Sequence, residues 1–246
     1  MIMPMYPVWI HDKNTPKPDT PTLYEISANG VFLHKETPFW KAIVPVERIS
    51  ILEEQEPKFE FLLPPIPKEI LKTVAQFFAW ITHRQNTEAL ALLWWSGSDV
   101  GGYNITVPPQ AVAYGRIEYD IPQKENHRLI GTLHSHGRML AFHSSIDHHD
   151  EINFDGIHGT FGGFYFYRNS FNLSLQACIN GTRFTLDPGK LIEGVVKQPI
   201  AVYYSYPKYK QEEYVLAGEE KLLPEKYEPP EEWRNSVRLM KQREEE

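Results

Sequence analysis

The chain holds one cysteine, Cys178, in 246 residues. A single thiol excludes an intrachain disulfide and a cysteine-built zinc cage, so any metal must be held by histidine, aspartate or glutamate. No lysine- or arginine-rich run is present, and the formal net charge is −7. Both facts argue against a broad nucleic-acid footprint, which needs clustered cations to displace counterions from phosphates. No apolar run approaches the roughly 20 residues of a membrane span. The first residues, MIMPMYPVWIHDKNTPKP, lack a basic segment followed by an apolar one, so no secretory signal is expected. The expected location is the cytoplasm.

Apolar residues are not scarce: 41% of the chain is hydrophobic and 13% aromatic. That is ordinary for a globular protein and sufficient to bury a core without disulfides or a structural metal. The length fits one sizeable domain with extra elements, or two small domains. Cys178 lies in the alternating stretch LSLQACI, where a small buried hydrophobe is expected rather than a nucleophile in an electropositive pocket.

Along the chain, residues 1–66 are Pro-rich and read as a small β-rich extension without catalytic residues of its own. LYEISANGVFLHKE predicts a hairpin turning at Asn29-Gly30, and FWKAIVPVERISIL predicts a further strand. PKEILKTVAQFFAWITHRQN predicts a helix with Pro67 at its first position. Its Ile70, Val74, Phe77, Phe78 and Ile81 recur at helical spacing. TEALALLWWSG suits a buried strand. GGYNITVPPQAVAYGRIEYDIP reads as a strand, a Pro-Pro break and a second strand, and HRLIGTLHSHG as another. GTFGGFYFYRN, FNLSLQACI and TRFTLDP continue the strands between Asn and Gly turns. The expectation is a mixed α/β domain over residues 67–200, followed by a C-terminal extension, 201–246. PPEEWRNSVRLMKQREEE there reads as a charged, frayed helix.

Five of the ten histidines fall in HSHGRMLAFHSSIDHHD, residues 134–150. Residues two apart on a strand share a face, so His134 and His136 can point into one pocket. Neutral imidazole is a good zinc ligand, and a catalytic zinc takes three protein ligands and keeps one open position. Asp147 is the natural third ligand, brought back by the loop between. Ser144 and Asp147 also have the spacing of a helix-start capping pair, which would hold Asp147 rigidly. His143 is expected beside the site or in solvent, and His148, His149, Asp150 and Glu151 on an exposed helical turn. Glu88 stands next to the apolar run of residues 89–95, where a carboxylate is costly unless paired or used. Glu118 and Glu125 are its rivals as a base.

His134-Ser135-His136, then seven residues, then Ser144 and, three on, Asp147 resembles the metal motif of the JAMM (MPN+, JAB) zinc metalloproteases. Glu88 begins Glu88-Ala89-Leu90-Ala91-Leu92-Leu93, which resembles the Glu-x-x-Gly-Leu-Leu context of the family's upstream glutamate, with Ala91 where glycine is usual. The stretch ITVPPQ resembles the family's second-strand region, and the likeness covers roughly residues 67–185. Within the family, the histidine-rich stretch is most similar to bacterial forms such as the protein A subfamily of PRTRC systems. The resemblance implies an α/β fold with a mixed curved β-sheet flanked by helices, cytidine-deaminase-like in outline. It implies one zinc on His134, His136 and Asp147, with Glu88 as general acid/base and Ser144 as oxyanion donor. The implied activity is an isopeptidase or peptidase cleaving after the C-terminal glycine of a ubiquitin-like protein. The implied partners are that protein or its conjugates, with their activating and conjugating enzymes. A catalytically silent scaffold of the same fold, and a zinc hydrolase of another amide, are the competing expectations.

Overall fold

The computed structural model describes residues 6–97, 102–113, 115–165, 169–198, 213–216, 222 and 227–240. The chain divides into two compact units, Met1–Lys58 and Phe59–Glu246. The first is a four-stranded sheet of β1 (Val8–Ile10), β2 (Thr22–Ser27), β3 (Gly30–Glu36) and β4 (Lys41–Pro45), in that spatial order. The predicted hairpin is present, but Ser27 pairs with Gly30, so Ala28 and Asn29 make the turn, one residue earlier than expected. Gly30 takes φ 136°, a conformation closed to side chains, as the first residue of the returning strand. Glu25 is buried in this sheet, bonded by Ser27, His34 and His11.

In the second unit, α1 (Lys68–Gln85) starts one residue later than expected, with Pro67 at the N-cap and not at the first helical position. Asn86, in the left-handed region at φ 54°, ends the helix. Leu71, Val74, Phe77, Phe78 and Ile81 are all buried. Phe78 meets Phe161 edge to face at 5.3 Å and Phe77 meets Trp233 at the same separation. The helix is thus the organising element of the core, and its aromatic contacts add about 0.5–1.5 kcal/mol each beyond the area they bury.

Then come β5 (Leu90–Trp95), β6 (Tyr103–Thr106), β7 (Gln110–Ala113), β8 (Arg116–Tyr119), β9 (Arg128–Ser135), α2 (Ser145–Ile152), β10 (Gly156–Gly162), β11 (Phe171–Ile179) and β12 (Thr182–Leu186). The chain continues with α3 (Pro188–Leu191), β13 (Val195–Gln198), β14 (Glu213–Leu216), α4 (Glu231–Ser236) and β15 (Val237–Leu239). The main sheet runs β13-β14-β11-β10-β9-β5-β6, with β12 on β11. The fold is mixed α/β, rich in strands, with the helices few. Pro108 and Pro109, lacking the N–H a ladder needs, end β6; β7 leaves the main sheet to pair with β8 and β15. The stretch after the Pro-Pro break therefore gives two strands, not one. Residues 241–246 lie outside the described residues; of the expected C-terminal helix, the described residues keep only α4, and β15 takes over, parallel to β7. Val237 is buried there, and pairing with the open edge of β7 satisfies backbone groups that a frayed helix would leave to water. Cys178 is fully buried in β11, as expected.

One feature of the sheet positions everything else. β9 and β10 are parallel neighbours, and parallel strands need a long crossover. Residues 136–155 make it, and they carry α2. The ends of these strands and the start of α2 meet at one place, the usual location of ligands in sheets of this kind. Among the described residues no helix is long and apolar enough to cross a membrane.

Candidate metal centre

His134 is the seventh residue of β9 and His136 follows its end. Alternation puts both on one face, and both are buried. Their Nε2 atoms lie 3.2 Å apart. Asp147, on the first turn of α2, brings Oδ1 to 3.3 Å from His134 Nε2 and Oδ2 to 3.5 Å from His136 Nε2. Each imidazole nitrogen faces its own Asp147 oxygen, and a cation placed among the three side chains would replace these contacts with ligand bonds. Ligands at 2.0–2.1 Å around a tetrahedral ion are about 3.3 Å from one another; the two imidazole nitrogens are spaced close to this, and Asp147 approaches each of them with a different oxygen. These residues could hold a metal ion.

The approach of the three is built locally. The main-chain N–H of His136 donates to Phe161 of β10 at 2.7 Å, and that of Gly163 donates to Met139 at 2.7 Å. The loop after His136 is thereby laced onto the end of β10. A Cβ at Gly162 would lie 2.2 Å from the Met139 carbonyl oxygen, so only glycine permits this packing. The ring of Phe142 stands edge-on to His136 at 4.7 Å. Thr160, opposite His134 across the parallel pair, puts Oγ1 3.4 Å from its Nε2.

Ser144 and Asp147 form the capping pair that the sequence suggests. Ser144 Oγ accepts from the Asp147 N–H at 3.2 Å, and the Ser144 N–H donates to Asp147 Oδ2 at 2.6 Å. Such a cap is worth about 0.5–2 kcal/mol. Its chemical consequence matters more. The serine oxygen accepts from the backbone while its hydroxyl lies against the Asp147 carboxylate, so the same O–H can turn to a bound group in the pocket only by leaving that carboxylate. Burial would raise the Asp147 carboxyl, but His134, His136 and Ser144 together hold it well below the ordinary range, so it is an anion ready for a cation.

Glu88 lies just before β5. Leu90 pairs with His134 in the antiparallel β5–β9 ladder; continuing the register puts Glu88 opposite His136, on the face that carries the two imidazoles. It is buried. Burial pushes its carboxyl up to about 7, with His136 opposing the shift and Asp147 adding to it. The rivals do not reach the site: Glu118 is exposed and paired with Arg116 at 2.5 Å, and Glu125 is exposed.

Several residues of the site carry no sequence signal. Ser135, fully buried, accepts the Ala89 N–H on its Oγ at 3.1 Å. Gln110 accepts the Leu90 N–H at 2.9 Å and donates to the Leu90 carbonyl at 2.8 Å. Glu151, expected on an exposed turn, is buried, 2.6 Å from the equally enclosed His143 side chain. His149 and Asp150 do face solvent and His148 is partly exposed. A search of protein-family models and of curated proteins finds no match to the chain, so the functional reading rests on this geometry.

Proposed function

We propose that the chain is a zinc metallopeptidase of the JAMM type, with the JAMM/MPN-like fold, cleaving after the C-terminal glycine of a ubiquitin-like protein. The observation that carries the reading is the close convergence of His134, His136 and Asp147 beside the buried Glu88 carboxyl and the Ser144 hydroxyl. An all-N/O set of two imidazoles and one carboxylate suits zinc. A zinc held there would polarise the scissile carbonyl and lower the pKa of a bound water to about 7.

The chain's own groups supply the rest. Glu88 takes a proton from the attacking water as oxygen adds to the carbonyl carbon, then delivers it to the amine nitrogen as the C–N bond breaks. A base near the working pH suits both transfers, and burial tunes Glu88 in that direction. The Ser144 hydroxyl donates to the oxygen that gains charge; one such donor is typically worth about 3 kcal/mol of barrier. Side chains larger than glycine would crowd the carbonyl against Ser144 and the enclosed imidazoles. A folded partner then provides most of the binding energy, so short peptides are poor substrates.

The test offers the full chain a ubiquitin-like fusion, the same fusion with its last glycine changed to alanine, and unfolded casein, alongside elemental analysis. One zinc per chain, lost in His134→Ala/His136→Ala, with cleavage of the first substrate alone, is the expected result. Zinc with no cleavage of any substrate would mark a binding module. Comparable cleavage of all three would refute the specificity.

A further inference from the structure

The helix that presents Asp147 and Ser144 has eight residues, too few to hold its position through its own backbone bonds. It is held by a buried polar network on the side away from solvent. Glu151 lies one turn beyond Asp147, so it shares that residue's side of the helix, and it is 4% exposed. His143, immediately before Ser144, donates from Nδ1 to Glu151 Oε1 at 2.6 Å. Arg183 on β12 sits with Nε 3.4 Å from Glu151 Oε2 and donates from Nη2 to the carbonyl of His148 at 2.8 Å. One guanidinium therefore grips the carboxylate and the backbone of the residue next to Asp147.

A separate pair of bonds lies on the neighbouring strands. His158 on β10 donates from Nε2 to the Phe154 carbonyl at 3.0 Å, and its Nδ1 lies 2.8 Å from Thr132 Oγ1 on β9. Thr132 is two residues before His134. Burial holds the His158 imidazole below its ordinary pKa, which favours the neutral ring, with Nδ1 then accepting from the Thr132 hydroxyl. His143, Arg183 and His158 in turn hold the Glu151 carboxyl low against the effect of burial.

We propose that the Glu151–His143–Arg183 network is the positioning device of the metal centre, fixing Asp147 and Ser144 relative to His134 and His136. These residues touch neither metal nor substrate, and the inference rests on the metallopeptidase reading. Its physical basis is that well-packed apolar residues would stabilise such an interior at least as well as ions. What the ions add is direction. The residue before the cap and β12 are both tied to a single carboxylate, and the same guanidinium ties β12 to the helix backbone. Partners behind the ligands of metal sites commonly govern affinity by 10–100-fold.

The experiment uses the full chain and Co²⁺ as a visible probe, with affinity read by competition against a chromophoric chelator. Glu151→Gln and Arg183→Lys should melt close to the native chain yet bind Co²⁺ about 10–100-fold more weakly, with shifted ligand-field bands and faster amide exchange over residues 145–152. The double variant should lose less than the product of the two single losses, because both act through one carboxylate. Should Glu151→Gln fail to fold, Arg183→Lys carries the test, since the Arg183 side chain is 24% exposed. Affinity within twofold of native and unchanged bands in the folded variants would overturn the proposal and leave the network merely structural. If His134→Ala does not weaken Co²⁺ binding by the native chain, the metal reading itself falls, and this inference with it.

Discussion

Replacing Gln110 with methionine should destabilise the larger unit by about 3 kcal/mol. Leu90, the first residue of β5, sits opposite His134. On its other side β6 reaches only as far as Thr106, opposite Leu92, because Pro108 and Pro109 follow. On that side the backbone of Leu90 is thus left without a strand partner. The Gln110 carboxamide takes the place of that strand, accepting at 2.9 Å and donating at 2.8 Å. Gln110 and Leu90 are 4% and 5% exposed, so water does not readily substitute. Each buried backbone group left unpaired costs about 1–3 kcal/mol, which gives about 2–6 kcal/mol for the two. Methionine keeps most of the volume, so little cavity cost is added, and local relaxation pulls the total toward the lower half of the range. For a unit of this size about 3 kcal/mol corresponds to a fall in Tm of roughly 6–12 °C. Thermal melts by circular dichroism measure it, and amide exchange at Leu90 reports the lost bond directly. Glu88, two residues earlier, should loosen with it. A Tm within about 2 °C of native, with the Leu90 amide still protected, would refute the reasoning.

Glu88→Gln should keep the metal and lower hydrolysis by about 10²–10⁴-fold, because glutamine cannot take the water's proton; metal analysis and turnover on the same sample separate the two effects. Ser144→Ala should cost about 1 kcal/mol of stability through the lost cap and a further 10²–10³-fold in turnover if its hydroxyl faces the oxyanion. A stability loss without a turnover loss would confine Ser144 to capping. In the N-terminal unit, bonds from Ser27, His34 and His11 hold the Glu25 carboxyl down to about 2, against an ordinary 4.5. As pH falls the unfolded chain binds that proton first, so the stabilisation is complete above about 4.5 and is lost between there and 2. Amide exchange of β2 and β3 should accelerate across that window, and Glu25→Gln should flatten the dependence.

The sequence alone determined what is local. Helical spacing marked α1, continuous apolarity marked β5, and a Pro-Pro pair marked the end of β6. Alternation along β9 put His134 and His136 on one face, and a three-residue spacing joined Ser144 to Asp147 in a cap. These are rules of period and turn, readable within a few residues. The tertiary structure decided what depends on distant partners. Glu151 looked like part of a charged, solvated turn; Arg183 from β12 and the His143 ring enclose it. Gln110 carried no pattern until Leu90, twenty residues away, was seen to need its amide. The C-terminal residues read as helix, yet β15 forms because β7 offers an open edge. Even Glu88 acquires its raised pKa only when the core closes over it. Burial, and the pairing of polar groups that burial compels, are properties of the whole fold; no local window of the sequence contains them.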